Sequence, residues 1–377
     1  MIGIITFHAS HNCGSILQAY ALQKVLQTKL QYESEIIDFS NEGQRNYYSV
    51  FVKNDSIKHF VKNVVTTFFY GKAKEENRVY EEYIHNTLKL SQESYRETNE
   101  LEGIEKRYSA LICGSDQVWN VTCTDADDAY FLSFAKNTKK IAYATSLVAK
   151  NINRYTKSPD LYKKYILDFD AVSVREGNGQ KWIESLVDQK IDVSICLDPT
   201  LLLSREEWEK KTPARIIRED YIFYYAFNYT PEVNQVVKEI SQKFNMPVYM
   251  FDVKSWGVKG NFRYGFRIAD AYGPEAFLSL IKNAKMVLTT SFHGTVFSTV
   301  YQKNFWYLNS SMHSKDDDRA SYLLGQLGLE SRLISLESAG NMDLTIAPDY
   351  EISNARVETL RKFSLTFIRN SLRDNYE

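Results

Sequence analysis

Cysteine is scarce in this 377-residue chain: there are four, and no two of them form a C-x-x-C pair. A structural zinc site or a disulfide framework needs paired or regularly spaced cysteines, so neither is implied. The sequence also lacks an H-E-x-x-H motif and a paired-carboxylate spacing typical of metal ligands. We therefore expect no metal, and reduced thiols suited to a reducing compartment.

An excess of charge of either sign is absent as well. Lys and Arg total 46 against 47 Asp and Glu, a formal net charge of -1, so nothing indicates a nucleic-acid partner. With 16 glycines and 7 prolines, the chain is also unlike disordered or collagen-like sequences. Its length exceeds what one ordinary core accommodates, and we expect two domains.

Long apolar runs are missing too. The nearest candidate, 61–70, is interrupted by Asn63 and two threonines and falls short of the ~18 apolar residues that a bilayer span requires. The first residues, MIGIITF, lead straight into a polar loop without the basic region or cleavage site of a signal peptide. These features predict a cytoplasmic protein without a transmembrane segment.

What the chain does contain is a double series of short β-rich runs alternating with helical patterns. This alternation predicts an α/β protein of two doubly wound domains with parallel sheets. We place the first domain at 1–202, with a helical insertion near 56–107, and the second at 203–350. The remaining 351–377 predicts a C-terminal helix that could pack back across the domain junction.

The insertion has an unusual surface pattern. Phe60, Val64 and Phe68 recur at helical spacing close to Lys58 and Lys62. One interpretation is a core helix with a solvated basic edge. The other is an interfacial helix whose apolar side chains enter a membrane surface while its lysines meet anionic headgroups.

In parallel α/β sheets, ligands bind beyond the carboxyl ends of the strands, so the turns after the strands are the candidate sites. None of them has a Walker or G-x-G-x-x-G pattern, which leaves nucleotide triphosphates and dinucleotides without support. In the first turn, Asn12, Gly14 and Ser15 open a helix and could bind an anion or simply cap it.

Two further turns carry side chains suited to substrate binding. Gly114, Ser115 and Gln117 surround Asp116, which could act as a base toward a hydroxyl or merely form a turn. Arg175 emerges at the end of an apolar strand and could clamp a carboxylate or phosphate, or pair with Glu176. We interpret the similar run at 197–200, Leu-Asp-Pro-Thr, as structural.

The fourth turn is the strongest candidate. A strand runs into a helix through Ser291, His293 and Gly294, which predicts an anion site with an acid, or else an ordinary helix cap. A basic loop with Lys254, Lys259, Arg263 and Arg267 lies upstream; it could cover an anionic or sugar ligand, or be a solvated loop.

These turns together resemble the polysaccharide pyruvyl transferase family along nearly the whole chain. Six runs match in the same order: residues 12–20 (NCGSILQAY), 114–120 (GSDQVWN), 143–146 (YATS), 173–176 (SVRE), 197–200 (LDPT) and 291–294 (SFHG). The resemblance implies two Rossmann-like domains facing a cleft, as in GT-B glycosyltransferases. It also implies transfer of pyruvate from phosphoenolpyruvate, as co-substrate and without a further cofactor, to a sugar or glycan.

The resemblance further implies roles for individual residues. Arg175 and His293 would contact the donor, with His293 as catalytic acid, and Asp116 could accept the hydroxyl proton. Many family members have arginine where this chain has Ser291. Either Arg263, Arg267 or Arg319 supplies the missing charge, or the donor is held differently. The other predicted cleft residues are Gly114, Ser115, Gln117 and Ser146.

Two other functions stay open at this point. A GT-B-like glycosyltransferase with a nucleotide-sugar donor would share the architecture, since fold alone does not fix function. A carbohydrate-binding protein with an inactive site is favoured only by Ser291. The sequence does not decide whether the acceptor is lipid-linked and the protein sits at the inner face of the membrane.

Overall fold

The computed structural model describes residues 1–310 and 314–373, which form two parallel sheets flanked by helices. The first sheet has the strand order β3-β2-β1-β4-β5-β6-β7. Its strands are β1 (Ile2–Ile5), β2 (Ser34–Phe39), β3 (Leu90–Tyr95), β4 (Ala110–Cys113), β5 (Lys139–Thr145), β6 (Ala171–Val174) and β7 (Val193–Ile195).

The second sheet repeats the same winding, with the order β10-β9-β8-β11-β12-β13. Its strands are β8 (Ile222–Tyr225), β9 (Val248–Met250), β10 (Arg267–Ile268), β11 (Met286–Thr289), β12 (Phe305–Asn309) and β13 (Leu333–Ser335). In each sheet the chain starts in the middle, moves to one edge and then crosses to the other side. The predicted doubly wound architecture is therefore present in both halves, and each has its switch point beside its first strand.

Helices cover both sheets and join the strands. They are α1 (Cys13–Thr28), α2 (Glu42–Tyr48), α3 (Ile57–Phe68), α4 (Tyr70–Thr87), α5 (Ile152–Tyr155), α6 (Pro159–Leu167), α7 (Gly177–Leu186), α8 (Arg205–Glu209), α9 (Pro231–Phe244), α10 (Gly273–Asn283), α11 (Phe292–Val300), α12 (Arg319–Leu327), α13 (Leu336–Ala339) and α14 (Tyr350–Leu372). In the part of the chain that the structure describes, none of these helices combines the length and apolar character of a bilayer span.

The segment 56–107 differs from the predicted helical insertion. Its α-helices end at Thr87; Leu90–Tyr95 then forms the edge strand β3, parallel to β2, and two single-turn 3-10 helices follow at Thr98–Leu101 and Ile104–Arg107. Since β3 is polar and largely exposed, its sequence has no apolar alternation to mark it. The strands β10 and β13 were missed for a similar reason, being two and three residues long at the edges of the second sheet.

Helix α1 joins the hydrophobic cores of the two domains. Its buried Leu17 belongs to the same apolar cluster as Phe277 of α10 and Phe297 of α11. Trp208 of α8 is fully buried between them, with its ring centroid 5.8 Å from Tyr20 of α1 and 5.0 Å from Phe297. The junction is therefore a continuous apolar contact.

The final helix, α14, follows the second domain and contacts the first. The Arg361 Nε donates a hydrogen bond to the Leu201 carbonyl at 2.8 Å, and the backbone N–H of Leu197 donates to Ser364 Oγ at 2.9 Å. Both acceptor and donor groups on the first domain lie directly after β7. Residues 374–377, the end of the predicted C-terminal segment, lie outside the described residues.

Replacing Ser364 should weaken this junction. In Ser364→Ala the buried N–H of Leu197 loses its acceptor, which should lower the free energy of unfolding by about 1–3 kcal/mol. The control is Ser371→Ala on the same helix, whose hydroxyl donates only to the Phe367 carbonyl within the helix. Urea unfolding should show this loss of stability for Ser364→Ala and a loss of about 0.5 kcal/mol or less for Ser371→Ala. Equal losses for the two variants would contradict the role of Ser364 at the junction.

Candidate active site

Three strand ends of the first sheet and one helix start of the second domain converge at the domain junction. Asp116 follows β4, Arg175 follows β6, Asp198 lies beyond β7, and His293 is the second residue of α11. Each of the four is at most 7% exposed. We call these four residues the junction cluster.

Asp198 lies at the centre of the junction cluster. Its Oδ2 accepts a hydrogen bond from Arg175 Nη1 at 2.6 Å, and its Oδ1 accepts from the backbone N–H and the hydroxyl of Thr200 at 3.1 and 2.6 Å. Burial by itself would raise the pKa of Asp198. The positive charges of His293 and Arg175 and the Thr200 hydroxyl more than offset burial, and the pKa is lowered below its ordinary value.

His293 brings the second domain to this carboxylate. Its Nε2 lies 3.5 Å from Asp198 Oδ2 but has no hydrogen-bond partner among the described residues. The other side of the ring rests on the start of α1, where a Cβ on Gly14 would come within 2.0 Å of Nδ1. Only glycine therefore permits this close contact between the domains.

Asp116 is held from two sides within the first domain. Its Oδ1 lies 3.3 Å from Arg175 Nη2 and accepts from the backbone N–H of Gln117 at 2.8 Å, while Oδ2 accepts from the Ser15 hydroxyl. The Arg175 guanidinium also lies 4.5 Å from the ring centroid of Phe292. Its Nε has no hydrogen-bond partner among the described residues.

A fifth ionisable group, Glu176, lies behind the junction cluster and is 0% exposed. Burial raises its pKa to about 7, although Arg175 and Arg319 act in the opposite direction. One carboxylate oxygen accepts from the Leu147 backbone N–H at 2.7 Å; the other makes no hydrogen bond among the described residues but lies 3.9 Å from Arg175 Nε, so the predicted pairing of Arg175 with Glu176 is also present. Glu176 is therefore poised to change charge near neutral pH.

A cavity of about 490 Å³ opens between the domains beside the junction cluster. Its walls come from the turns after β1 and β4, from α3 and α4, and from the turns after β8 and β9. The ionisable side chains and aromatic rings that line it are Lys62, Glu76, Asp125, Asp252, Lys254, Lys259, His11, Cys123, Tyr47, Tyr48, Tyr80, Tyr225, Phe227, Tyr229 and Phe251. Its size is in the range of small-molecule sites.

The predicted site residues divide between this cavity and the junction behind it. Asn12, Gln117 and Ser291 line the cavity, whereas Arg175 and His293 are buried and do not line it. Asn12 and Ser291 are the N-caps of α1 and α11: the Asn12 side chain accepts from the N–H groups of residues 14 and 15, and the Ser291 hydroxyl accepts from that of residue 294. The helix starts are therefore both capped and adjacent to open space.

Four predicted residues serve to fix the turns. Ser115 is fully buried, and its hydroxyl donates to the Ala144 carbonyl at 2.6 Å; Gly114 precedes it in a left-handed conformation, with φ of 111°. Ser146 is also buried, and its backbone N–H donates to the Asp116 carbonyl at 2.8 Å. Gly294 leaves no room for a side chain beside Thr289.

None of the arginines considered as replacements for the family arginine lines the cavity. Arg263 is exposed, and Arg267 lies on the edge strand β10, where it pairs with Glu219 at 2.6 Å. Arg319 makes a two-point contact with Asp317, at 2.7 Å for both Nε and Nη2. Arg267 and Arg319 are therefore paired with carboxylates, and Lys254 and Lys259 are the members of the predicted basic loop that reach the cavity.

Sequence reasoning overlooked Asp198, which we interpreted as part of a structural turn. The turn interpretation is correct for its Oδ1, which caps the following residues, but Oδ2 binds Arg175. The available signal was its position at a strand end, the feature that marked the other three sites. The cavity residues Glu76 and Tyr229 carried no sequence signal. Among the described residues no three His, Cys, Asp or Glu side chains form a metal-binding group.

Comparison with known proteins bears on both family and fold. The family model described as polysaccharide pyruvyl transferase matches residues 12–312. No protein of curated function matches the sequence at a significant level.

Solved structures resemble the fold despite low sequence identity. UDP-GlcNAc 2-epimerase from Methanocaldococcus jannaschii has 10% identity and a TM-score of 0.50, with 95% of this chain and 98% of that chain covered. A putative UDP-N-acetylglucosamine 2-epimerase from Listeria monocytogenes has the same identity and TM-score, with 95% and 90% covered. They confirm the predicted GT-B-like arrangement of two α/β domains.

The unusual environment of Glu176 predicts a pH-dependent stability. Because the folded state holds the Glu176 proton more tightly than the unfolded state, the free energy of unfolding should fall as pH rises from about 4.5 to about 7. Glu176→Gln does not titrate, so its stability relative to the wild type should improve between pH 5 and pH 8, on the order of 2–3 kcal/mol.

Urea unfolding at the two pH values measures this difference. The matched control is Glu184→Gln, on the helix that Glu176 precedes, which should change little between the two conditions. A stability difference between wild type and Glu176→Gln that is the same at pH 5 and pH 8 would contradict the elevated pKa.

Proposed function

Because the chain belongs to the polysaccharide pyruvyl transferase family, we propose that it transfers pyruvate from phosphoenolpyruvate to hydroxyls of a sugar in a polysaccharide or its lipid-linked precursor. The products would be a pyruvate ketal and phosphate. The junction cluster would hold the donor, and the adjoining cavity would hold the acceptor.

One observation carries the donor assignment. Arg175 Nε and His293 Nε2 are two buried nitrogens in a single cluster that have no hydrogen-bond partner among the described residues. Leaving a buried donor unpaired costs about 1–3 kcal/mol, so structures rarely retain such groups without a use. A carboxylate or phosphate that passed from the cavity to these two nitrogens would satisfy both, and the start of α11 would add its positive dipole.

The chemistry assigned to these groups follows from their character. His293 in its charged form gives a proton to the methylene carbon of phosphoenolpyruvate, and a sugar hydroxyl bonds to the adjacent carbon while its proton passes to Asp116. The bond from that carbon to the phosphate oxygen then breaks, and phosphate leaves with the electron pair. A second hydroxyl bonds to the same carbon and passes its proton to the now neutral His293, which closes the ketal. The leaving phosphate takes up the proton held by Asp116; no oxidant or reductant is needed.

Asp198 would act as a positioning residue. It lies between Arg175 and His293, so it fixes the position of the Arg175 guanidinium relative to the His293 ring across the domain junction. Its negative charge also offsets the positive charge of Arg175 in the absence of substrate. Nη1 of the guanidinium holds the Asp198 carboxylate, while Nε makes no hydrogen bond among the described residues and lies 3.9 Å from Glu176 Oε2.

Ligand binding and turnover test the donor class. Phosphoenolpyruvate at ~100 times its dissociation constant should stabilise the protein by ~2.7 kcal/mol, a shift of several degrees in the thermal midpoint. His293→Gln should keep this shift but lower phosphate release, measured with a panel of glycan acceptors, by ~100-fold or more. The matched control is His85→Gln, an exposed histidine on α4.

Three results would contradict parts of the proposal. Near-wild-type turnover in His293→Gln would exclude it as the acid. A thermal shift with nucleotide sugars but none with phosphoenolpyruvate would instead indicate a glycosyltransferase. Binding of either ligand without turnover on any acceptor would indicate an inactive, carbohydrate-binding site.

We also propose that α3 makes a peripheral contact with an anionic membrane at the cytoplasmic face. Its large apolar side chains are exposed rather than buried, with Phe60 at 58%, Val61 at 53% and Phe68 at 82%. The helix carries Lys58 and Lys62 and no acidic residue. An apolar face flanked by lysines is complementary to a bilayer with negative headgroups.

Vesicle flotation tests this contact. The wild type should float with vesicles containing phosphatidylglycerol more than with phosphatidylcholine alone, and Phe60→Ser combined with Phe68→Ser should abolish the difference. Phe363→Ser on α14, 51% exposed, is the matched control and should float like the wild type. Equal flotation of all three proteins would overturn the assignment of α3.

A further inference from the structure

Three lysines line the cavity. Lys62 comes from α3 of the first domain, while Lys254 and Lys259 come from the turn after β9 in the second. Lys254 Nζ donates to the Ser49 carbonyl at 2.9 Å, and none of the three forms an ion pair with a carboxylate among residues 1–310 and 314–373. The two domains thus bring unpaired positive charges to one opening.

Like charges held together in this way favour an anionic ligand. Burial lowers the pKa of Lys62 and of Lys254, and each is lowered further by a neighbouring lysine, Lys259 for the first and Lys62 for the second. A phosphate group among them would relieve this repulsion and accept charge-assisted hydrogen bonds. Asp252, which attracts both lysines, compensates them only in part.

The rest of the cavity wall suits hydroxyl groups. The Tyr229 hydroxyl is buried and has no hydrogen-bond partner among the described residues, although it lines the cavity. Glu76 lies nearby; burial and the charge of Asp252 raise its pKa to about 8, so at neutral pH it can donate as well as accept. The aromatic ring of Phe227, 60% exposed, offers a flat apolar surface of the kind that sugar rings contact.

From these two features we infer that the acceptor is a sugar bearing a phosphate or diphosphate, rather than a finished neutral polysaccharide. The phosphate lies among Lys62, Lys254 and Lys259, and the sugar hydroxyls meet Tyr229, Glu76 and Asp252. This inference rests on the proposed function, since it assigns the acceptor of the same reaction. The diphosphate can be carried by a lipid or by a nucleoside.

The experiment measures binding to the whole protein by calorimetry. The probes are inorganic pyrophosphate, farnesyl diphosphate, UDP-N-acetylglucosamine and, separately, phosphoenolpyruvate. Lys62→Gln and Lys259→Gln should each lower the affinity for the diphosphate probes about tenfold and leave the affinity for phosphoenolpyruvate unchanged. Lys58→Gln removes the same charge from the same helix but outside the cavity, and should behave as the wild type.

A second pair of variants separates the donor from the acceptor. Arg175→Lys should weaken the binding of phosphoenolpyruvate, because lysine lacks the forked geometry of the guanidinium. It should leave the binding of the diphosphate probes unchanged. Tyr229→Phe should weaken the binding of UDP-N-acetylglucosamine more than the binding of pyrophosphate. Thermal midpoints close to the wild type establish that each variant is folded.

The outcomes are distinct. Tighter binding of farnesyl diphosphate than of the nucleotide sugar supports a lipid carrier, and the reverse supports a nucleoside carrier. If the lysine variants no longer bound phosphoenolpyruvate, these lysines would hold the phosphate of the donor. The inference about the acceptor would then fail, while the proposed function would stand. Diphosphate probes that fail to bind the wild type, or bind all variants equally, would also overturn the inference. Absence of phosphoenolpyruvate binding alone would remove the proposed function and leave an anion-binding cavity.

Discussion

The pairing of Arg175 with Asp198 is the interaction on which the rest of the candidate site depends. A guanidinium and a carboxylate that are both nearly inaccessible to water stabilise each other at 2.6 Å, and neither would tolerate the loss of its partner. Breaking such a buried pair typically costs about 3–5 kcal/mol. Because Asp198 also faces His293, the same pair determines where the second domain meets the first.

This polar contact is embedded in an apolar junction. Helix α1 packs against both domains, Trp208 fills the space between Tyr20 and Phe297, and α14 closes the junction from the other side through Ser364. Water is excluded around the junction cluster, so each charge interacts more strongly than it would at a surface. The cavity beside it is lined by polar and aromatic side chains, so a tightly packed cluster of charges adjoins open space.

Much of this arrangement could be predicted from sequence, because strand ends in parallel sheets are recognisable and their side chains must meet. Asp116, Arg175 and His293 were identified on that basis and do lie together. Short edge strands such as β10 could not be predicted, because two residues are too few to show a periodic pattern. Arg263 and Arg267 were grouped with Lys254 and Lys259 by proximity in sequence, but Arg263 is exposed and Arg267 pairs with Glu219, so that only the two lysines reach the cavity.

The cavity itself could not have been predicted. Its walls combine α3 and α4 with turns of the second domain that are separated by more than a hundred residues, and no local pattern relates Glu76 to Asp252 or Tyr229. Gly14 has a consequence of its own. A single methyl group at this position would act as a wedge between the first residues of α1 and the His293 ring, so the smallest possible side-chain addition would force the two domains apart at the point where their charges meet.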